Sequence, residues 1–170
     1  GRRAYECLRQ MKEAGRYVIL APPGEMGGDI LEKLEIEYEK LGEKKEHTTR
    51  EDTLSCARMM KEQRVDLLVF CGGDGTARDI YEAVGSKLPV LGVPSGVKMY
   101  SACYALNPYQ AGQLLRDFIV GKKLTFIPRE IMDLDEVHID DRSVSPTLYG
   151  FLTVPGDGVR VQRAKEVCQG

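Results

Sequence analysis

Residues 69–80, "VFCGGDGTARDI", run from an apolar stretch through a turn of almost no side-chain bulk into a helical pattern. Upstream, "VDLLVFC" (65–71) is short and apolar on both faces, the pattern of an internal strand in a parallel sheet. Downstream, "ARDIYEAVG" (77–85) reads as a helix closing on Gly85. A tight turn uses one glycine or two, whereas here Gly72, Gly73 and Gly75 surround the single carboxylate of Asp74. Glycines of that density let another group come close to the backbone, and a following helix N-terminus offers free N–H groups to an anion.

The pattern repeats to either side. "LPVLGVP" (88–94) is a second buried strand, followed by the small-residue turn "SGVKMYSA" (95–102). Residues 4–14 read as a helix that stops at Gly15, and "RYVILAPPG" (16–24) as a short strand broken by Pro22-Pro23. A helical segment follows the glycines of "GEMGGDILEKL" (24–34). In "LEIEYEKLGE" (34–43), Leu34, Ile36 and Tyr38 alternate with acids and favour a strand, with helix as the competing reading. Thr48-x-x-Glu51 has the spacing of a capping box, ahead of an apolar helical face at Leu54, Ala57, Met59 and Met60. Asn107-Pro108 forms an N-cap and first-turn pair for a helix over 109–121.

Strand and helix therefore alternate to about residue 120, which predicts an α/β fold: an open, mainly parallel sheet with helices on both faces. From residue 124 the pattern alternates with period two, in "KLTFIPREIMDLDEVHIDD" (123–141) and "PTLYGFLTVPGDGVRVQ" (146–162). The expected organisation is an α/β nucleotide-binding domain over 1–124, then over 125–170 the start of a β-rich domain that the chain does not complete.

Composition sets outer bounds. A 170-residue chain can bury one good core and part of another, and 42% hydrophobic with 29% charged residues places it among globular rather than disordered chains. A net charge of -2 disfavours a broad nucleic-acid surface. No apolar run reaches the roughly 20 residues of a membrane span, and "GRRAYECLRQ" (1–10) has no signal-peptide core. With no initiator Met, the chain is expected to be a trimmed fragment. The five cysteines (7, 56, 71, 103, 168) are scattered, which points to a reducing cytoplasm, with Cys71 and Cys103 read as small apolar residues. The expected partners are nucleotides and further copies of the chain, not nucleic acid or membrane.

Both glycine-rich turns fall at the carboxyl ends of predicted strands, where parallel α/β sheets bind ligands. Thr76 is placed to cap its helix or to bond a phosphate oxygen, and neither G-x-G-x-x-G nor G-x-x-x-x-G-K-[ST] is present. A carboxylate among phosphate-binding donors repels the ligand unless it accepts a proton from an attacking hydroxyl or helps hold Mg²⁺. The alternative for Asp74 is a turn aspartate bonded to nearby backbone. In the second turn Ser95, Gly96 and Lys98 are candidates for phosphate contact, and an exposed turn lysine explains Lys98 equally well.

Other features read as structural. Asp133, Asp135, Glu136, His138, Asp140 and Asp141 look like a solvated face or turn, so the identity of any metal ligand stays unknown. His47 reads as surface and Met59 and Met60 as core filler. "PPGEMGG" (22–28) is either a nucleotide loop or a strand-to-helix turn. Ser101 lacks the G-x-S-x-G context of a hydrolase.

"GGDGT" (72–76) resembles the signature of the superfamily of NAD kinases, diacylglycerol-type lipid kinases and 6-phosphofructokinases. With "GEMGG", "TTREDT", "PVLGVPSGVKMYSA", "EIMDLDE" and "LYGFLTVP", the chain resembles the ATP-NAD kinase-like family, in its acetoin-catabolism-associated branch. That resemblance implies a cytoplasmic kinase using ATP, NAD and Mg²⁺, with a cleft between an α/β and a β-rich domain. It implies that Asp74 accepts the proton of the NAD ribose 2′-hydroxyl and that Gly72, Gly73, Gly75 and Thr76 form the phosphate-side loop. Two alternatives stand beside NADP formation: a non-catalytic nucleotide-binding regulator on the same scaffold, and a kinase for another small-molecule or lipid hydroxyl.

Overall fold

A computed structural model describes residues 1–96, 98–134, 146–156 and 159–162. The chain opens with α1 (Arg2–Leu8), continued by a 3-10 turn over Arg9–Met11. The expected strand at 16–24 is only β1 (Leu20–Ala21), because Pro22-Pro23 ends it at once. A 3-10 turn over Gly24–Met26 leads into α2 (Gly28–Lys33). Gly28 is fixed by packing: a Cβ there would lie 2.9 Å from the Pro23 Cα and closer still to the Tyr38 hydroxyl. "PPGEMGG" is thus a strand-to-helix turn, closed by the Gly28 N–H on the Pro22 carbonyl at 2.9 Å.

The alternation over 34–43 yields just β2 (Glu39–Lys40), parallel to β1. Leu34 and Ile36 are buried but belong to the end of α2 and its exit, where Glu35 takes a positive φ of 57°. Side-chain alternation there reflects burial without a neighbouring strand to extend the ladder.

Next comes α3 (Arg50–Glu62), whose capping box sits one residue later than the spacing predicts. Thr49 is the N-cap, and the Asp52 carboxylate accepts from the Thr49 N–H at 2.8 Å and its hydroxyl at 2.9 Å. Thr48 is drawn away, its hydroxyl donating to Glu25 Oε1 at 3.0 Å. Leu54 and Ala57 enter the core, Met60 packs against it, and His47 is exposed.

β3 (Leu68–Gly72), α4 (Asp74–Val84) and β4 (Val90–Pro94) form the central unit, with β3 and β4 parallel and in register from Leu68↔Val90 to Gly72↔Pro94. Ala77, Ile80 and Val84 recur at helical spacing on α4 and are at most 4% exposed, which packs this helix onto the sheet. α5 (Pro108–Ile119) begins as predicted, with Asn107 Oδ1 accepting from the Gln110 N–H at 2.8 Å. The architecture is mixed α/β, with helix pairs α1/α5 and α3/α4 set against small parallel sheets.

The β-rich part is the antiparallel ribbon of β5 (Thr125–Leu134) and β6 (Pro146–Gly156). Ile131, Leu152 and Val154 are fully buried and join the same apolar cluster as Val90, Leu91 and Val93 of β4. One reading of β3 changes: its described ladder partner is β4 alone, so β3 has one hydrogen-bonded neighbour where an internal strand has two. Cys71 is accordingly exposed rather than buried, while Cys103 is buried. Among the described residues, no helix is long and apolar enough to cross a membrane.

Candidate functional site

The register of β3 and β4 brings the two glycine-rich turns side by side. Gly72 and Pro94 are paired, and the Ser95 N–H donates to the Gly72 carbonyl at 3.2 Å, so the second turn leaves the sheet against the first. Gly73 caps α4 without any side-chain bond to the helix end. The first-turn N–H groups of α4 therefore have no intrahelical acceptor, and they carry the positive end of an 11-residue helix. Thr76 does not cap α4, contrary to one of its two expected roles, because its side chain packs over Gly72.

The three glycines turn out to do different things. Gly72 is needed internally, since a Cβ there would fall 2.6 Å from the Thr76 Cβ. Gly73 and Gly75 are neither at positive φ nor crowded: a Cβ on Gly73 would meet only Ser95 Oγ at 3.9 Å, and one on Gly75 nothing within 4 Å. Gly96, in the second turn, also faces open space. At these three positions no described residue crowds an added side chain, and Gly75 lies in the first turn of α4, among its free N–H groups.

Asp74 is half-buried at the first position of α4. Its Oδ2 accepts from the Tyr100 N–H and its Oδ1 from the Ser101 N–H, each at 2.9 Å. The carboxylate is thus bonded to backbone, as the turn reading expects, but to backbone 26 and 27 residues away rather than to its own turn. An ionised carboxylate has about four lone-pair sites, so each oxygen keeps capacity for a further donor. The arrangement fixes the carboxylate without exhausting it.

Ser101 extends this link. It is 2% exposed, and its hydroxyl accepts from the Met132 N–H at 2.9 Å and donates to the Met132 carbonyl at 3.3 Å. The serine is a strut between the second turn and β5, in keeping with its lack of a hydrolase context. Ser95 and Lys98 are exposed, and Lys98 has no ion pair among the described residues. The structure thus brings Gly72, Gly73, Asp74, Gly75, Thr76, Ser95 and Gly96 to one end of the β3–β4 pair, with Lys98 further along the same loop.

Sequence reasoning missed several contributors. Arg3 of α1 reaches the same end of the sheet, where its Nη1 donates to the Pro94 carbonyl at 3.1 Å. Tyr104 is fully buried with its ring against Gly92, at whose Cβ position an added methyl would lie 2.6 Å from Tyr104 Cδ1. Burial pushes the Cys103 thiol and the Tyr104 hydroxyl well above their ordinary pKa values, which removes both as ionised nucleophiles. Only the small residues of "YSACYA" (100–105) hint at this packing in the sequence.

Of the acidic cluster, Asp133 pairs with Arg78 of α4 at 2.8 Å, which makes it structural. Residues 135–141 lie outside the described residues. Arg78 is also 3.9 Å from Asp79, which in turn accepts from Arg50 Nε at 2.8 Å. This chain of charges tethers α3, α4 and β5 just behind the turn. Among the described residues, no group of three His, Cys, Asp or Glu could hold a metal ion.

Chemically, open space beside helix N–H groups suits an anion such as a phosphate, and a fixed carboxylate beside it suits a hydroxyl that donates to it. A search of curated proteins and a search of solved structures each returned no match. The family model described as "ATP-NAD kinase N-terminal domain" matches residues 2–123, which include α1 through α5 and both turns. The chain belongs to the ATP-NAD kinase family through this N-terminal domain.

Proposed function

We propose that the chain supplies the nucleotide-binding part of a phosphotransferase that moves a phosphoryl group from ATP, or another phosphate donor, to the 2′-hydroxyl of NAD, forming NADP. One observation carries the reading: a backbone-anchored carboxylate at a helix N-terminus, between turns whose Gly73, Gly75 and Gly96 leave the approach open. The segments shared with the acetoin-catabolism-associated branch are the finer part of the same reading.

In this reading the N–H groups at the start of α4 receive phosphate oxygens, and Ser95 and Lys98 add a hydroxyl and a mobile positive charge. The free lone pairs of Asp74 accept the proton of the acceptor hydroxyl as its oxygen bonds to phosphorus and the donor's P–O bond breaks. The open turns fit a nucleotide phosphate. Mg²⁺ at such sites is usually held by one or two carboxylates and by substrate phosphates, and it neutralises developing charge when bound. Asp74, at the first position of α4, is the carboxylate that would hold it. What the chain itself supplies is positioning: two turns held at a fixed separation by one side chain.

The test is turnover with ATP and NAD, together with a panel of other hydroxyl acceptors including a lipid. NADP formation supports the reading, and phosphorylation of another acceptor in its place overturns the NAD assignment. A second reading, a non-catalytic nucleotide-binding regulator, is favoured by the engagement of both Asp74 oxygens in backbone bonds. Tight ATP or NAD binding by calorimetry with no product from any acceptor selects it.

A further inference from the structure

Among the described residues the part-buried arginines are Arg3, Arg78, Arg129 and Arg160. Arg78 pairs with Asp133 at 2.8 Å and Arg160 with Asp117 at 2.7 Å. Neither Arg3 nor Arg129 has an acidic partner among the described residues. The buried Nε of Arg129 meets no acceptor, whereas Arg3 is fixed to the second glycine-rich turn, its Nη1 donating to the Pro94 carbonyl at 3.1 Å.

The peptide that Arg3 grips is held from both sides. Its N–H, that of Ser95, donates to the Gly72 carbonyl of β3 at 3.2 Å. No peptide bond among the described residues is cis, and in a trans peptide the N–H and C=O point in opposite directions. The Pro94 carbonyl therefore faces away from β3, toward the side of β4 where Cys103 and Ala105 bond Gly92. The guanidinium approaches from that side, at the point where the second turn leaves the sheet. Where the turn comes back, the Tyr100 and Ser101 N–H groups hold the Asp74 carboxylate. The two ends of one turn are thus fastened by opposite charges, Arg3 and Asp74, that make no ion pair with each other. Burial pushes the Cys71 thiol up, and the Arg3 charge is near enough to pull against it, so that charge is felt at the end of β3 as well.

Holding the Pro94 carbonyl takes only a neutral donor. A part-buried charge without a counterion costs free energy that a bound anion offsets. A guanidinium carries several N–H donors, one acceptor leaves most of them open, and its planar fork matches phosphate oxygens as the mobile point charge of Lys98 does not. We propose that Arg3 binds a phosphate oxygen of the nucleotide at this site, its fork set in place by the Pro94 carbonyl. The inference deepens the phosphotransferase reading and rests on it. The triphosphate of the donor and the pyrophosphate of NAD present the same oxygen chemistry, and separate binding measurements distinguish them.

Calorimetry measures ATP, NAD and inorganic triphosphate binding to the 170-residue chain, to Arg3→Gln, which removes the charge, and to Arg3→Lys, which restores it without the fork. Arg3→Gln is expected to weaken binding about tenfold to a hundredfold, with Arg3→Lys in between. Loss confined to ATP and triphosphate assigns the donor, and loss confined to NAD assigns the acceptor. Exchange of the Ser95 amide in the free chains reports the turn itself. Weakening that follows faster Ser95 exchange to the same extent in both variants makes Arg3 a tether only and overturns the inference. So does an Arg3→Gln affinity within about twofold of the parent's. If Arg3→Gln does not fold, Arg3→Lys decides: loss of the fork is expected to cost about threefold or more, and parental affinity overturns the inference. A parent chain that binds none of the three ligands defeats the phosphotransferase reading itself, and this inference with it.

Discussion

Replacing Asp74 by Asn separates the two tasks assigned to this side chain. In the native arrangement two backbone N–H groups, of Tyr100 and Ser101, point at two carboxylate oxygens at 2.9 Å. Asparagine keeps one acceptor oxygen, so one of these N–H groups must face an NH₂ donor. Losing a partly buried hydrogen bond to a charged group costs about 1.5–3 kcal/mol. For a domain of this size each kcal/mol lowers the melting temperature by about 2–4 °C, so Asp74→Asn is expected to melt roughly 3 to 12 °C earlier. Thermal unfolding followed by circular dichroism measures this, and exchange at the Tyr100 and Ser101 amides should accelerate in parallel. If Asp74 also takes the proton, turnover falls by about 10² to 10⁴ with nucleotide binding retained. An unchanged melting temperature with unchanged exchange refutes the tethering, and near-native turnover refutes the proton acceptor.

The glycines give a matched set: Gly75→Ala, in open space at the start of α4, is expected to leave stability within about 1 kcal/mol while weakening ATP binding by calorimetry. Gly92→Ala should instead destabilise by about 1–3 kcal/mol in denaturant unfolding, because its Cβ lies 2.9 Å from the Cys103 carbonyl oxygen as well as against Tyr104. Asn107→Ala removes the α5 cap and should cost about 1 kcal/mol in the same measurement. Asp117 predicts a pH dependence: burial pushes its carboxyl up, but bonds from Lys122 and Arg160 outweigh this and hold it below the ordinary 3.8. A depressed carboxylate stabilises the fold above its unfolded value and loses that contribution as pH falls through the folded one. Acid unfolding below about pH 4 should therefore be shallower in Asp117→Asn than in the parent chain.

Features set by neighbours a few residues apart were legible. The α4 helix, its closure at Gly85 and the Asn107 cap follow from local pattern and hold in the structure. The capping box lies one residue beyond the position its spacing predicts because Thr48 and Thr49 each have an acid three residues on, and only the distant Glu25 decides between them. For β3, an apolar run on both faces reports burial by helices and says nothing about how many strands flank it. In sequence the glycines of 72–76 form one group, yet Gly72 answers to Thr76 while Gly73 and Gly75 answer to open space. That distinction requires coordinates. The Asp74 bonds to residues 100 and 101 have no local signature, since backbone N–H groups carry no sequence identity.

The position of Ser101 has a mechanical consequence. Its N–H holds Asp74 at the head of α4, while its hydroxyl holds both backbone groups of Met132 in β5. Arg78 and Asp133 bolt the same helix to the same strand one turn further along. Two fasteners about a turn apart leave little freedom to rotate, so the helix head and this part of the β5–β6 ribbon form one rigid lever. Any opening or closing around a ligand at the turns must therefore pivot outside that lever, with α4 and β5 moving as a single piece.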